Sequence, residues 1–450
     1  MNSLDSVYQY LLENICFSKD INYLEKQKKL FELGVKSSLL FYEFIKFIIK
    51  DVRNHELEKI YYFTREGEFF QKIHDIIVEH SPDNSIKSEL VEASRLTTFS
   101  PSLQAISIEE LKRLWRMYST QSMGAMLKSL NVNNFEFFTT IFKSYDIDID
   151  IPIEKPWLDL RVKKVFADPL FQKNIKTCVD IKKHLLQEYL LNKGLNEQAK
   201  KIAMVDIGWR GTTQDNLALL FKDTTIHAYY LGMQPFLNPQ PNNIIKQSFL
   251  GDQVFLNRRQ ELVYLKYVSP IEMMCNSPSG TTIDYQNIEG EIRAIRKTIE
   301  LENDIFYEYT QFFQQGVLEG IKSLVKLEQE NPNLFKNTSK FCIKIANDLW
   351  MNPKKFLTEA YFQLHHDETF GVGEIINKGE PHFIPMSLIL QALFNKKKWD
   401  QLGLLLADTG WIQGLFTYYN LGFLNPVYNL RIKMKSKPLL REETNDGFTL

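Results

Sequence analysis

Two short polar loops carry residues whose types and spacing suit the binding of a phosphorylated substrate. The first reads Thr64-Arg65-Glu66-Gly67, and the second spans residues 206–214 with the sequence DIGWRGTTQ. Each loop combines an arginine, whose guanidinium binds phosphate through paired hydrogen bonds, with glycine, which lets the backbone approach a ligand closely. The pattern therefore predicts that both loops contact phosphate groups.

The second loop (residues 206–214) offers the larger set of binding groups. Asp206 can accept hydrogen bonds from sugar hydroxyls or from water on a metal ion, and Thr212 and Thr213 are suited to cap the following helix. The start of that helix adds unpaired N–H groups and the positive end of a dipole. The candidate binding residues are Gly208, Trp209, Arg210, Gly211, Thr212, Thr213 and Gln214. The alternative is a plain strand–turn–helix connection whose glycines serve geometry alone.

The first loop (residues 64–67) suits a pyrophosphate. Thr64, Arg65 and Gly67 would contact it, and Glu66 or Glu68 would adjust the charge of Arg65 or hold a metal ion. The alternative is a surface turn in which the arginine and a neighbouring glutamate simply pair.

Two further stretches add candidate groups. Ser94 and Arg95 follow a short apolar run and supply a third arginine near a predicted strand end. Glu272 precedes a loop of small residues at 277–282, which would close over a phosphate or an acceptor, or would be an ordinary turn.

Other charged clusters favour ordinary solvated structure. Asp146, Asp148 and Asp150 alternate as in a metal-binding D-x-D element, but no buried strand precedes them and prolines follow. The acidic and histidine residues at 365–368 lack a distant third ligand. Basic residues near aromatic segments would contact an anionic membrane surface or be solvated; they are Lys396, Lys397, Lys398, Arg431, Lys433, Lys435 and Lys437.

The elements that must position the loops follow from the apolar pattern. Residues 22–52 have helical spacing, and the apolar runs at 60–63, 202–205 and 226–232 indicate buried strands separated by helices. Strands alternating with helices predict a parallel sheet, whose ligands bind at the carboxyl ends of the strands. Both polar loops are expected at that edge.

The same pattern divides the chain into three regions. Residues 1–100 and 196–290 are predicted to form an α/β core that binds the substrate, and residues 101–195 a helical insertion. Residues 291–450 are predicted to be mainly helical, with helices over 290–330 and 337–365.

Composition excludes several classes of protein. Among 450 residues, 54 are Lys or Arg and 55 are Asp or Glu, so a net charge of −1 argues against general nucleic-acid binding. The four cysteines contain no C-x-x-C pair, and we expect reduced, mostly buried thiols. There is neither a signal-peptide pattern at the start nor an apolar run long enough to span a membrane, which predicts a cytoplasmic protein.

Three sequence elements occur together in one order: YFTREGEF at 62–69, EASRLTT at 92–98 and VDIGWRGTTQDNL at 205–217, followed by SPSGTTIDY at 277–285. This set resembles a bacterial cell-surface polysaccharide family, over roughly residues 25–290. Its members are often labelled haloacid-dehalogenase-like hydrolases because many are fused to such a phosphatase. The domain with these motifs is similar to phosphoribosyltransferase-type glycosyltransferases that add ribofuranose to capsules and to the O-antigens of lipopolysaccharide.

The resemblance implies an α/β fold with a parallel sheet of phosphoribosyltransferase or Rossmann-like type. It implies transfer of ribofuranosyl 5-phosphate from 5-phosphoribosyl-1-pyrophosphate to a lipid-linked or growing glycan, with Mg²⁺, at the inner face of the cytoplasmic membrane. A separate phosphatase would then remove the 5-phosphate.

The resemblance also implies roles for the loops. Residues 206–213 match the loop that holds the ribose and its 5-phosphate, with Asp206 near any donor-bound Mg²⁺. Residues 64–67 match the pyrophosphate loop, and Ser94 and Arg95 match the third motif. Arg65 would stabilise the leaving pyrophosphate, and Glu66 and Glu272 are candidate bases. Ordinary phosphoribosyltransferases carry two adjacent acids where this chain has only Asp206.

The phosphatase activity itself is not expected of this chain, because no D-x-D-x-T or D-x-D-x-V element occurs in residues 1–60. Two competing hypotheses remain open: a nucleotide-sugar glycosyltransferase that uses Asp146, Asp148 and Asp150 to hold a metal ion, and a non-catalytic glycan-assembly protein of the same pathway.

Overall fold

The computed structural model describes residues 7, 9–11, 13, 15, 24–80, 86–195, 199–254, 264, 268–363, 385–405 and 410–434. Its strands, in chain order, are β1 (Lys59–Phe63), β2 (Lys87–Val91), β3 (Thr120–Gln121), β4 (Ile153–Glu154), β5 (Lys201–Trp209), β6 (Thr225–Met233), β7 (Ile244–Ser248), β8 (Thr281–Ile288) and β9 (Glu291–Lys297). Within the described residues, β1, β2, β5, β6 and β7 form one parallel sheet in the order β2-β1-β5-β6-β7. The strands β3–β4 and β8–β9 form antiparallel pairs.

The helices of the first half surround and extend this sheet. They are α1 (Glu25–Asn54), α2 (Glu66–Glu79), α3 (Arg95–Phe99), α4 (Ile108–Trp115), α5 (Met123–Ser129), α6 (Phe135–Ser144), α7 (Leu160–Ala167), α8 (Pro169–Asn192), α9 (Thr212–Leu220) and α10 (Ser269–Cys275). The C-terminal helices are α11 (Glu300–Ile305), α12 (Gln311–Glu330), α13 (Ser339–Ala346), α14 (Lys355–Tyr361), α15 (Met386–Phe394), α16 (Lys396–Leu405) and α17 (Ile412–Tyr418). A π-helical turn at Phe306–Thr310 joins α11 to α12. The predicted α/β fold with a parallel sheet, a helical insertion and a largely helical C-terminal region is confirmed.

The strands are apolar on both faces because helices cover both sides of the sheet. Side chains alternate along each strand, so odd and even positions enter different cores. One face packs on α1 and the C-terminal helices through Ile60, Tyr62, Ala203, Val205, Tyr229 and Leu231. The other face packs on the second half of α8 and on α9 through Tyr61, Phe63, Ile202, Met204, Ala228 and Tyr230.

The helical insertion has a core of its own. Buried residues between Phe99 and Val179 form a third cluster, centred on aromatic side chains of α4, α6, α7 and the start of α8. The long helix α8 joins the two regions, because Phe171 lies in the insertion core whereas Leu186 and Tyr189 pack on the sheet. The insertion is therefore tied to the sheet by one continuous helix.

Helices α1 and α12 cross in backbone contact. A Cβ atom on Gly34 would lie 2.0 Å from the carbonyl oxygen of Phe313, and one on Gly316 would lie 2.0 Å from the carbonyl oxygen of Phe31. No side chain larger than hydrogen fits at either position without moving a backbone. The C-terminal region is thereby attached to α1, whose other face covers the sheet.

The structure differs from the sequence prediction after residue 290, where a helix is expected and strand β9 is found. The hairpin β8–β9 turns at Glu289 and Gly290, which both have positive φ, as a tight two-residue hairpin loop requires. Ile292 and Ala294 alternate toward the core beside the sheet. The sequence signal for this hairpin is a Glu-Gly pair between alternating apolar residues. The predicted domain boundary at 290/291 therefore falls within the turn of the β8–β9 hairpin.

Three cysteines fall among the described residues and none of those is in a disulfide: Cys275 and Cys342 are buried and Cys178 is half-buried. Cys16 and residues 365–368 lie outside the described residues. Among the helices that the structure describes, none combines the length and the apolar character that a membrane span needs.

Candidate active site

The three sequence motifs meet at the carboxyl edge of the sheet. Strand β1 lies between β2 and β5, so the segments that follow these strands are neighbours. The N–H of Thr64, directly after β1, donates to the carbonyl of Val91 at the end of β2 (3.0 Å). The edge therefore brings together residues 64–67, residues 94–95 and the end of β5.

The first loop is a sharp elbow between β1 and α2. Arg65 has φ 73° and ψ −100°, a conformation that non-glycine residues rarely adopt. Gly67 permits the close packing of α2 on β1, because a Cβ there would lie 3.1 Å from the carbonyl carbon of Tyr62. The Arg65 guanidinium donates to Asn276 Oδ1 (3.1 Å) and Thr281 Oγ1 (3.3 Å), which fixes its direction.

The second loop begins inside the strand rather than after it. Strand β5 continues to Trp209, three residues beyond Asp206, and bends at Gly208, which has φ 128°. A Cβ on Gly208 would lie 1.9 Å from the carbonyl oxygen of Gly232 on β6, so only glycine fits. Trp209 also has a positive φ of 73°, and its indole Nε1 donates to Glu272 Oε1 (2.6 Å). The bulky Trp209 thus connects the second loop to Glu272.

The carboxylate of Asp206 is held by two donors. The backbone N–H of Ile207 donates to Oδ1 (2.7 Å), and Gln214 Nε2 donates to Oδ2 (3.1 Å). Gln214 is fully buried and its own Oε1 accepts from the hydroxyl of Tyr230 (3.2 Å). Gln214 therefore positions Asp206, a role that its place in the sequence motif does not reveal.

The other residues of the second loop are arranged differently from the prediction. Gly211, with φ 67°, is the N-cap of α9, and Thr212 and Thr213 are its first two helical residues, so neither threonine caps the helix. The guanidinium of Arg210 donates to the carbonyl of Pro235, in the segment after β6. The structure therefore directs the Arg210 guanidinium toward that segment.

Arg95 is the second arginine near the carboxylates. It is the first residue of α3, whose N-cap Ser94 accepts from the N–H of Thr97 and donates to the carbonyl of Thr282 (2.7 Å). The charges of Arg65 and Arg95 both oppose the rise in the pKa of Asp206 and Glu272, which places the two arginines near both acids. Arg95 is exposed, so a ligand in solvent can reach it.

Three acids share this site, and burial sets their protonation. Burial is the main cause that raises the pKa of Glu66 to about 8, with Glu272 and Asp206 adding to the rise and Arg65 opposing it. Burial likewise raises the pKa of Asp206 and of Glu272. Like charges in a desolvated site cannot all ionise freely, and such clusters are typical of sites that transfer protons.

The β8–β9 hairpin lies along this edge and holds it. Arg296 bridges two acids: its NH1 lies 3.0 Å from Glu68 Oε1 and its NH2 lies 2.7 Å from Glu92 Oε1. Ser279 donates to the other oxygen of Glu68 (2.8 Å). The hairpin therefore fixes α2 and the segment after β2 relative to each other, which sequence reasoning missed because it read residues from 290 onward as helix.

The alternative metal-binding acids lie elsewhere. Asp146, Asp148 and Asp150 form a turn in the insertion, where Asp148 Oδ1 accepts from the N–H of Asp150 (3.0 Å). Within the described part of the chain, they belong to no group of His, Cys, Asp and Glu side chains close enough to ligate one ion. Among the basic C-terminal residues, Arg431 lies over the ring of Trp399 (4.0 Å), whereas Lys435 and Lys437 fall outside the described residues.

The carboxyl edge of the sheet therefore combines two guanidiniums, of Arg65 and Arg95, with three carboxyls. These carboxyls belong to Glu66, Asp206 and Glu272. Guanidiniums bind the oxygens of phosphate or carboxylate groups, and carboxylates stabilise a developing positive charge or accept a proton. Comparison of the sequence with protein-family models and with curated proteins finds no match.

Proposed function

We propose that this protein is a glycosyltransferase that moves a ribofuranosyl 5-phosphate group from 5-phosphoribosyl-1-pyrophosphate to a glycan hydroxyl and releases pyrophosphate. The observation that carries the proposal is that Arg65, Arg95, Asp206 and Glu272 share the carboxyl edge of a parallel sheet, where the charges of both arginines act on both carboxyls. This is the edge at which parallel sheets bind their ligands.

The two arginines suit the leaving group. Departure of pyrophosphate from C1 moves negative charge onto its oxygens, and charge-assisted hydrogen bonds from preorganised donors stabilise that charge in the transition state. The hydrogen bonds from Arg65 to Asn276 and Thr281 fix its guanidinium before substrate arrives. Arg95 is exposed and completes the pair from α3.

Asp206 and Glu272 suit the sugar. Loss of pyrophosphate leaves positive charge on C1 and the ring oxygen, and a nearby carboxylate stabilises that charge. Asp206 is oriented by Ile207 and Gln214, and Glu272 by the indole of Trp209. In the proposal, Asp206 also accepts from a ribose hydroxyl, which holds the ring for attack from the opposite face and gives an inverted product.

The 5-phosphate is assigned to the start of α9. The backbone N–H groups after Gly211 and the hydroxyls of Thr212 and Thr213 can bind an oxyanion at this helix N-terminus. The NH1 group of Arg210 donates to the carbonyl of Pro235, so Arg210 is assigned no preformed contact with the 5-phosphate.

The carboxyls also fit a donor-bound Mg²⁺. Each oxygen of Asp206 accepts one hydrogen bond and keeps a second lone pair, and Mg²⁺ in phosphate sites usually takes one or two carboxylates and several waters. Asp206, with Glu272 beside it, would hold such an ion, which would neutralise charge on the pyrophosphate.

Glu66 is assigned as the base that accepts the proton of the acceptor hydroxyl. A base works best when its pKa lies near the working pH, and burial raises the pKa of Glu66 to about 8. Glu272 is less suited because one of its oxygens already accepts from Trp209. For a base with this pKa, kcat/KM is expected to rise with pH and to level off above pH 8.

The test incubates the purified protein with 5-phosphoribosyl-1-pyrophosphate, Mg²⁺ and a panel of synthetic glycan acceptors, with mass spectrometry to detect the gain of one phosphopentose. Nucleotide sugars serve as the alternative donors. Arg65→Ala and Arg95→Ala should each lower kcat/KM by about 10²–10³, as expected for loss of a charged transition-state donor. Arg293→Ala, an exposed arginine on β9, should leave it unchanged.

The proposal fails if no acceptor gains phosphopentose and the donor produces no thermal shift, or if a nucleotide sugar is the donor that reacts. Donor binding without any transfer would instead favour a non-catalytic role in glycan assembly. The proposed acceptor is a lipid-linked or growing glycan at the inner face of the cytoplasmic membrane, and a separate phosphatase would act on the product.

A further inference from the structure

A second cluster of functional side chains lies at the amino edge of the sheet, opposite the candidate active site. It consists of Asp51 in the last turn of α1, His55 immediately after that helix, and His227 near the start of β6. One potential ligand atom of each residue lies within 4.8 Å of the others. The cluster shares no residue with the proposed transferase site.

His227 is the residue that the fold leaves unsatisfied. Its side chain is buried, at 2% exposure, and within the described part of the chain its Nδ1 atom has no hydrogen-bond partner. A buried polar atom without a partner costs free energy, so a native protein usually supplies it with water, a donor or an ion.

Asp51 is held in place by two other residues. The hydroxyl of Tyr229 (2.8 Å) and Nε2 of Gln247 (2.7 Å) both donate to its Oδ2 atom. Partners of this kind orient ligating carboxylates in metal sites. Because Tyr229 lies two residues after His227 on β6, strand alternation places both side chains on the same face of the sheet, against α1.

His55 completes the group from the helix. It follows Asp51 by four residues, so the two side chains lie on the same side of α1, and its ring centroid is 4.4 Å from that of His227. Its Nδ1 lies 2.8 Å from the backbone carbonyl of Asp51, an arrangement that orients ligating histidines. The side chain is 37% exposed, so water can reach the cluster.

The charges around the cluster are mixed. The C-terminal end of α1 directs carbonyl groups and the negative end of the helix dipole toward this point, which favours a cation. Lys201 is the opposing charge: its Nζ lies 3.5 Å from the carbonyl of His55. Lys201 is exposed, so its flexible side chain can turn into solvent when a cation binds.

We propose that Asp51, His55 and His227 bind a divalent transition-metal ion, with Zn²⁺ as the best match. Two imidazole nitrogens and one carboxylate oxygen are a common protein ligand set for Zn²⁺, and a water molecule from the exposed side would complete four-coordination. The ion would join the end of α1 to β6 at the edge remote from the candidate active site, so its binding would stabilise the folded state.

The test uses the full chain, treated with a chelator and then loaded with Zn²⁺ or Co²⁺. Elemental analysis after gel filtration is expected to give one metal ion per chain, Zn²⁺ should raise Tm, and bound Co²⁺ should show the intense visible absorption of a four-coordinate site. His227→Ala and His55→Ala should abolish all three signals. Tyr229→Phe, which removes a donor to Asp51, should weaken affinity by about 10–100-fold.

His80→Ala is the matched control. His80 also caps a helix, and its Nδ1 lies 2.9 Å from the carbonyl four residues before it. Among the residues that the structure describes, His80 belongs to no group of potential metal ligands. This variant should bind the metal like the unchanged protein. His55 is partly exposed, so His55→Ala remains informative if His227→Ala does not fold. Absence of bound metal in the unchanged protein, or equal binding by His55→Ala, would overturn the proposal.

Discussion

Arg65 and Trp209 both hold a positive φ although neither is glycine. Such conformations cost about 1–3 kcal/mol each, and they persist where the surrounding structure fixes them, often at functional sites. Here Arg65 is fixed by hydrogen bonds to Asn276 and Thr281, and Trp209 by its bond to Glu272. The strain lies at the ends of two adjacent strands, where the proposed donor would bind.

Glu66 gives a prediction that does not depend on the proposed reaction. Burial raises its pKa to about 8, so between pH 4.5 and 8 the folded protein binds a proton that the unfolded chain has released. The free energy of unfolding should therefore fall as pH rises through this window. Glu66→Gln should remove the part of that fall that Glu66 causes, so the variant should gain about 2–4 kcal/mol of stability over the unchanged protein between pH 4 and pH 8.

Urea unfolding at several pH values measures this effect. Glu79→Gln, at an exposed position on the same helix, is the control and should follow the unchanged protein at every pH. A Glu66→Gln curve parallel to that of the unchanged protein would show that Glu66 ionises normally in the folded state.

The chemistry-bearing residues were predictable where they follow an apolar strand, because the end of a parallel strand is a defined place. Residues 64–67, Asp206 and Arg95 were located in this way. The direction of Arg210 was not predictable, since it depends on the carbonyl of Pro235, which the chain brings near only after β6. The role of Gln214 likewise depends on Tyr230, on the neighbouring strand.

At the scale of elements, the β8–β9 hairpin controls the geometry of the candidate site. Arg296 is half-buried and holds Glu68 and Glu92, so Arg296→Ala leaves two acids facing each other without their shared partner. We expect a loss of about 1–3 kcal/mol in the free energy of unfolding. Differential scanning fluorimetry and urea unfolding would measure it.

Arg293→Ala is the matched control for that variant. Arg293 lies on the same strand and pairs with Glu291, but both side chains are more than half exposed. Exposed pairs contribute about 0–1 kcal/mol, so little change is expected. Equal losses in the two variants would mean that the hairpin does not depend on the Arg296 bridge.

The crossing of α1 and α12 gives a second prediction at this scale. Gly316→Ala would place a Cβ atom against the Phe31 carbonyl and force the helices apart, so overpacking should cost about 1–3 kcal/mol even though alanine favours helix. Glu319→Ala, at a half-exposed position of α12, should change stability by less than about 0.5 kcal/mol. Urea unfolding of both variants is the measurement. Unchanged stability of Gly316→Ala would show that the crossing tolerates separation.

Helix and strand types followed from periodicity, but the contacts between them did not. The spacing of apolar residues predicts α1 and the strands β1, β5 and β6, because each buries one stripe or both faces. The alternation in β9 was hidden because Ile295 follows Ala294 directly and Arg293 and Arg296 flank that pair. The α1–α12 contact depends on single glycines in two helices, which periodicity does not register.

At the scale of the whole molecule, the insertion and the sheet have different cores. Phe171 is fully buried in the insertion, where it packs against Phe138, Phe142 and Phe166. Phe171→Ala should cost about 3–5 kcal/mol within that core. Hydrogen exchange should then accelerate at amides of residues 103–179, whereas amides of β1, β5 and β6 should stay protected. Equal acceleration in both regions would mean that the two cores unfold together.

The helical insertion was predictable, because a helical stretch between two strand–loop–helix units must leave the sheet and return to it. The metal cluster was not predictable, since Asp51, His55 and His227 are brought together only when α1 lies across β6. Distant single residues of this kind become visible only in three dimensions.

Helix α1 packs between the sheet and the C-terminal helices, so a gene fragment that omits those helices would expose part of α1. Fifteen of its 30 residues are buried, some against the sheet and others against the C-terminal helices. A fragment that stops after the hairpin would leave the α12-facing stripe of α1 in water and should form inclusion bodies. Supplying the missing helices as a separate polypeptide should recover soluble material, so the α/β half and the helical half are best cloned as one open reading frame.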